Sequence, residues 1–241
     1  MSKEGQVRRG RITDPFRFDR GLLAEVAGGR RLWDTRIAGV DEAGRGCLAG
    51  PLVAAAVVLD YSRARLAKLE GLTDSKLLTA GAREELYRGI LSTAARVVWV
   101  ARCPATIDRV GLHRCNLAAL EAALEALAGQ YAVAVVDGFD LERPELRCRA
   151  LVGADYKSAA VAAASVVAKV VRDRLMRTLA PDHSVYGFEE HVGYGTERHR
   201  EALRRFGPSP LHRLSFVGVS SVQLELWDLE GEAEEDQPGE G

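Results

Sequence analysis

The 241-residue chain has no CxxC pair. Its four cysteines, Cys47, Cys103, Cys115 and Cys148, stand far apart. That spacing excludes a zinc ribbon and a thioredoxin-like redox motif, and leaves small, reduced, mostly buried thiols. No apolar run is long enough to span a bilayer. The opening MSKEGQVRRGRITD lacks the apolar core of a signal peptide, so the expectation is a soluble, cytoplasmic protein. There is no GxxxxGK[ST] phosphate loop and no internal repeat. A net charge of one sign is also missing: the formal value is -1. Residues 228–241, however, hold seven acids and no base, so the remainder carries about +6. A modestly basic body permits nucleic-acid binding without requiring it.

What is present is the composition of a globular domain, 47% hydrophobic and 28% charged. Residues 1–36 are rich in Arg and Gly and read as an N-terminal extension with one short helix around Phe18–Val26. Residues 37–220 read as one folded domain with a C-terminal helical part, and 221–241 as a disordered acidic tail. Ile37–Asp41 reads as a short strand and Leu52–Leu59 (LVAAAVVL) as a buried one, joined by a hairpin-like turn at Gly50-Pro51. A helix is expected at Ala82–Thr93 and strands at Arg96–Ala101 and Ala132–Val136. Leu117, Leu120, Leu124 and Leu127 share one helical face, which Gly129 closes. Longer helices are expected at Ser158–Leu179 and Thr196–Phe206. The order predicts an α/β fold, a mixed central sheet flanked by helices on both faces.

Carboxylates stand where such strands end. Asp41-Glu42 closes the first strand, in IAGVDEAGRGCLAGP, and Asp137 ends AVAVVDG. Asp155 precedes the long helix, and Asp173 lies on it two turns past Ser165. Successive strand residues face opposite ways, so Asp41 and Glu42 meet at one site only if the strand ends or bulges there. Clustered carboxylates repel unless a hard divalent cation neutralises them, and a pair of such ions can activate water for phosphodiester cleavage. Taken singly, Asp137 would be a turn residue, Asp155 a helix cap and Asp173 a partner of Lys169. Asp41-Glu42 has little structural use. Gly44, Gly46 and Gly50 loosely suggest a dinucleotide-binding loop, but Pro51 and a second strand follow where that motif wants a helix.

These blocks together resemble the ribonuclease HII family. IAGVDEAGRG with LAGPLVAAAVVL is similar to its opening motif. LTDSKLL (Leu72–Leu78), VVDG (Val135–Gly138), DYKSAAVAAASVVAKVVRD (Asp155–Asp173) and YGFEEHVGYGTERHREAL with GPSPLHRLSF follow in the family's order. The resemblance implies a ribonuclease H-like fold and Mg2+ or Mn2+ dependence. It implies cleavage of RNA–DNA hybrids, and of DNA duplexes with embedded ribonucleotides, 5' to the ribonucleotide, leaving 3'-hydroxyl and 5'-phosphate. The task would be ribonucleotide excision repair. Asp41, Glu42, Asp137 and Asp155 would be the four metal-binding catalytic acids and Asp173 a supporting acid. Gly44-Arg45-Gly46 would touch the ribose 2'-hydroxyl, and Tyr194 would pack on the following nucleotide. Glycines admit a close backbone approach, and an aromatic ring can stack on a sugar or base.

Lys76, Lys157 and Lys169 could meet phosphates or the acids. Arg198, Arg200, Arg204, Arg205 and Arg213 could form a phosphate-facing ridge or simply a solvated face. The five histidines show no metal-ligand spacing and read as surface or supporting residues. Against the family's pattern, Gly153, Val192 and Leu214 stand where basic residues are usual, which bears on affinity and salt dependence more than on chemistry. Gln223–Trp227 (QLELW) is similar to short peptides that dock on the replication sliding clamp. Three alternatives remain in view. They are a ribonuclease HIII-like enzyme, which normally carries a larger N-terminal domain; another nuclease of the fold, such as a junction resolvase; and a non-catalytic nucleic-acid binder, which would not set acids beside phosphates.

Overall fold

The computed structural model describes residues 14–26, 36–61, 66, 69, 71–72 and 78–221. Its elements are α1 (Pro15–Val26), β1 (Arg36–Ala43), β2 (Leu52–Asp60), α2 (Ala80–Thr93), β3 (Arg96–Arg102), α3 (Pro104–Val110) and α4 (Leu112–Glu125). There follow β4 (Val133–Asp137), β5 (Cys148–Leu151), α5 (Ala154–Lys157), α6 (Ala159–Leu179), α7 (Phe188–His191) and α8 (Glu197–Phe206). The sheet order is β3-β2-β1-β4-β5; β2 is antiparallel to β1 and β3, whereas β1, β4 and β5 run parallel. The expected mixed sheet is therefore present. Ser158, Thr79 and Thr196 cap α6, α2 and α8 with their hydroxyls, so these helices begin within two residues of the expected bounds.

The apolar run of β2 is buried along its whole length because both its faces are covered. Val53, Ala55, Val57 and Leu59 join the core beneath α6, while Ala54, Ala56 and Val58 join the core beneath α4. Alanines and valines let helix and sheet approach closely. The tightest point is Gly39, where an added Cβ would lie 2.0 Å from the backbone carbon of Ala160. Past α6 the chain forms a small aromatic cluster built on Met176, Tyr186 and Phe188. A bridge between Ala49 and His212 ties this C-terminal part to the loop between β1 and β2.

Helix α1 packs into the same core through Leu22 and Leu23. It also buries Asp19, which accepts from the Tyr61 hydroxyl at 2.6 Å and from the Ala160 amide at 3.0 Å, at the first turn of α6. Burial pushes this carboxyl up from 3.8 to about 6, and the hydrogen bonds only partly offset it. A raised folded value means that the contribution of Asp19 to stability is complete below 3.8 and is lost as pH rises through about 6. The expected loss is on the order of 3 kcal/mol for a shift of this size. Asp19→Asn should remove that part of the pH dependence in denaturant titrations at about pH 4.5 and about pH 7. An unchanged dependence would mean that the cost of Asp19 burial lies elsewhere.

Candidate active site

Strands β1 and β4 are parallel neighbours, so their carboxyl ends open on one edge of the sheet, where α/β proteins place ligands. Asp41 and Glu42 lie near the end of β1 and Asp137 at the end of β4. The ladder to β2 continues without a bulge through Asp41↔Ala55, Glu42↔Ala54 and Ala43↔Val53. The strand is therefore longer than the sequence suggests, and the two acids leave on opposite faces. Asp41 points to the α6 side and Glu42 to the other, where Arg45 lies 3.6 Å away. They still share one electrostatic environment. Burial, the charge of Glu42 and the charge of Asp137 together hold the Asp41 carboxyl well above its usual range. A hydrogen bond from Ser165 on α6 and the Glu42 amide at 2.8 Å work against that rise.

After β5 the chain turns through Gly153 in the left-handed region into the one-turn α5, which buries Asp155. Asp137 accepts from the Ala154 amide at 2.7 Å, so one acid anchors the peptide that carries the next. Asp155 does not cap the long helix; Ser158 does. Ser165, Lys169 and Asp173 are spaced four apart on α6, and Lys169 pairs with Asp173 at 2.8 Å. Lys157 donates to the Val152 carbonyl instead of reaching the acids.

The loop from Gly44 to Pro51 is held by two buried arginines that sequence reasoning did not single out for this role. Arg172 of α6 donates to the carbonyls of Pro51, Ala49 at 3.0 Å, and Val192. Arg213 donates twice to Gly50, at 3.1 and 2.9 Å, and once to Arg45 at 2.9 Å. Desolvation lowers Arg213 to about 10, which leaves it charged at neutral pH. It therefore belongs to the loop's support and not to a surface ridge. Two other members of that ridge are paired, Arg198 with Glu190 and Arg204 with Glu197. A side chain on Gly44 (φ +94°) would strike Arg172 and Pro51, whereas one on Gly46 would meet nothing within 4 Å. Gly46 is thus not demanded by the packing of this loop, which leaves room on its outer side. The Arg45 guanidinium rests over Phe139, 4.9 Å from the ring centroid.

Tyr194 is 40% exposed, and its ring is covered by Lys169 at 4.9 Å and Arg172 at 5.6 Å from the centroid. The turn before it is strained: Val192, a β-branched residue, takes φ +45°. Three histidines read from sequence as surface or supporting residues, His191, His199 and His212, are buried together here. Cys47 and Cys115 are buried, Cys148 is half-buried and Cys103 exposed, and all four thiols are free. Lys76 and the Gln223–Trp227 peptide lie outside the described residues. Among the described residues no helix is long and apolar enough to cross a membrane.

A mixed five-stranded sheet with a long helix across its central strands, carrying acids at the open edge of its parallel strands, defines the ribonuclease H-like fold. The family model for Ribonuclease HII matches residues 38–219, and the chain belongs to that family of endonucleolytic ribonucleases H. It is 45% identical over 233 residues to the ribonuclease HII of Xanthobacter autotrophicus, covering 97% of this chain and 89% of the relative. The crystal structure of ribonuclease H2 from Pyrococcus horikoshii superposes with a TM-score of 0.67 at 28% identity, covering 80% of this chain and 99% of the other. A ribonuclease HII from Archaeoglobus fulgidus, solved as a complex with PCNA, superposes with a TM-score of 0.63 at 32% identity, covering 75% and 94%.

Proposed function

We propose that the chain cleaves the ribonucleotide-bearing strand of RNA–DNA hybrids and of DNA with embedded ribonucleotides, 5' to the ribonucleotide, leaving 3'-hydroxyl and 5'-phosphate. The observation that carries this reading is the electrostatic coupling of Asp41 to Glu42 and Asp137, with Asp155 tethered beside them, next to the Gly44–Pro51 loop. The donor set suits a hard divalent cation, since it offers carboxylate oxygens whose mutual repulsion a cation relieves. Among the described residues no group of three or more His, Cys, Asp or Glu is placed to hold a metal ion by itself. A Mg2+ or Mn2+ ion here would need substrate phosphate and water to complete its shell. Bound through Asp41, Glu42, Asp137 and Asp155, such ions would lower the pKa of a water and stabilise the departing 3' oxygen.

The chain's own residues supply the placement. Ser165 orients Asp41, and Asp137 fixes the peptide before Asp155. Asp173 keeps the Lys169 ammonium against the Tyr194 ring. The open side of Gly46 gives the loop's backbone access to a ribose 2'-hydroxyl, the group that separates RNA from DNA. Tyr194 offers a flat face to the nucleotide that follows. Lys76 would meet a phosphate. We assign catalysis to residues 37–220 with α1 docked on them, and solubilising and partner roles to the acidic residues 221–241. A purely binding role is disfavoured because acids beside phosphates repel them.

The test is a labelled DNA duplex with one ribonucleotide, beside an all-DNA control, with Mg2+ or Mn2+. One nick 5' to the ribonucleotide, absent from the control, is expected. No cleavage with either metal, on this duplex or on a long hybrid, would overturn the reading. Docking of Gln223–Trp227 on a sliding clamp is the partner reading, and the PCNA complex of the Archaeoglobus relative favours it. Deletion of residues 223–241 should abolish co-purification with the clamp; retention of the complex would sink this idea.

A further inference from the structure

Two of the three buried histidines, His212 and His199, form an ordered chain of hydrogen bonds with Ser209 and Tyr194. The Ser209 amide donates to His212 Nδ1 at 2.9 Å, so that nitrogen carries no proton and the His212 proton sits on Nε2. His212 Nε2 lies 3.1 Å from His199 Nε2, which must therefore accept. The His199 proton is thereby placed on Nδ1, which donates to the Tyr194 carbonyl at 2.9 Å. Alongside, His191 stacks on His199 with centroids 4.5 Å apart. His191 accepts from the Gly193 amide at 3.2 Å and donates to the Tyr186 carbonyl at 2.7 Å. All six ring nitrogens are matched, each in one direction only. Desolvation first, and neighbouring histidines in addition, push His199 and His212 down to about 4, so both are neutral at pH 7.

We propose that His212 and His199 are positioning residues whose directional relay sets the backbone of Tyr194 and, through it, discrimination at a ribonucleotide–DNA step. The proposal rests on the reading of Tyr194 given above. Its physical basis is that the Gly193–Tyr194 turn is strained at Val192 and needs external restraint. The restraint comes from the histidines and from the Gly193 carbonyl, which accepts from the Leu48 and Ala49 amides. His212 also precedes Arg213, which grips Gly50 and Arg45. One short segment, Ser209–Arg213, therefore holds both Tyr194 and the glycine loop. A protonated ring would set two N–H groups against each other, and a displaced one would break the bond to Tyr194; either releases the turn.

Two measurements test this. Nitrogen-15 imidazole spectra of the unmodified protein at neutral pH should show His212 as the Nε2–H tautomer and His199 as the Nδ1–H tautomer. Nε2–H on both rings, or a charged ring, overturns the relay. In kinetics, the quantity read is the kcat/KM ratio between a DNA duplex with one ribonucleotide and a continuous RNA–DNA hybrid. His212→Leu should lower that ratio about tenfold while kcat on the hybrid changes by less than about threefold. His212→Gln, which can still donate to His199, should restore the ratio to within about twofold. An unchanged ratio in His212→Leu, with Tyr194→Ala altering it, overturns the relay and spares the reading of Tyr194. A silent Tyr194→Ala overturns that reading and the relay with it, leaving the role of the acids untouched. If His212→Leu fails to fold, the tautomers of the unmodified protein decide alone.

Discussion

Asp41→Asn is expected to lose at least about a thousandfold in kcat while making the metal-free protein more stable. The two effects have one cause. Asp41 is 7% exposed, its carboxyl is held up by burial and by the charges of Glu42 and Asp137, and its ionised form is costly to the empty fold. An amide of the same shape keeps the acceptor for Ser165 and for the Glu42 amide but removes the repulsion. A gain on the order of 1–2 kcal/mol is ordinary when a destabilising active-site feature is relieved. The gain should vanish when Mg2+ or Mn2+ is added, because only the wild-type cluster then acquires a neutralising partner. Thermal denaturation of both proteins, with and without the metal, reads this directly. A destabilised metal-free Asp41→Asn protein would show that Asp41 is a structural acid and not a cluster member held for chemistry.

Gly39→Ala should be the most damaging added methyl at any described glycine. The new Cβ would stand 2.0 Å from the Ala160 carbon and 2.2 Å from the Ala160 oxygen and the Val161 nitrogen, all of them backbone. No rotamer change relieves that overlap. Helix α6 must move off β1, at a cost of about 4 kcal/mol or more, a large share of the stability of an ordinary domain. The same movement would draw Ser165 away from Asp41, so any folded fraction should also cleave slowly. Gly46→Ala is the natural contrast. Its Cβ would meet nothing, so stability should stay within about 0.5 kcal/mol of the parent while cleavage at a ribonucleotide falls. Urea titration and the nicking assay separate the two glycines. Equal stabilities for Gly39→Ala and the parent would refute the packing argument, and full activity in Gly46→Ala would deny that the open side of the loop receives substrate.

Much of this was legible in the chain. The buried run Leu52–Leu59, the leucine face of α4 and the alanine-rich α6 each announced their element, because period and burial leave a compositional mark. The strand β5 did not, since Cys-Arg-Ala-Leu is short, half exposed and at the sheet's edge. The end of β1 departs from the sequence expectation for a related reason: acids look like strand terminators, yet the ladder runs on through Asp41 and Glu42. Among the site residues, Ser165 could have been found from its four-residue spacing to Lys169 and Asp173. Arg172 and Arg213 carried no such signal. A buried arginine satisfied by carbonyls is spelled like a surface one, and the acceptors come from residues 45–51 and 192, remote in sequence. The histidines were opaque for the same reason: the relay depends on which nitrogen faces which, and sequence spacing does not encode that.

Helix α6 is the common shaft of the molecule. Its first turn is pinned by Asp19, its early residues abut Gly39, its middle reaches Asp41 through Ser165, and its later turns support Tyr194 and the glycine loop through Lys169 and Arg172. A helix advances about 1.5 Å per residue, so even a small slide along its axis would detune bond breaking and sugar reading together. Neither property can be adjusted from this shaft without disturbing the other. Independent tuning of substrate choice must fall to parts that do not ride on it, and His212, bonded to Ser209 and His199 outside this helix, is one such part.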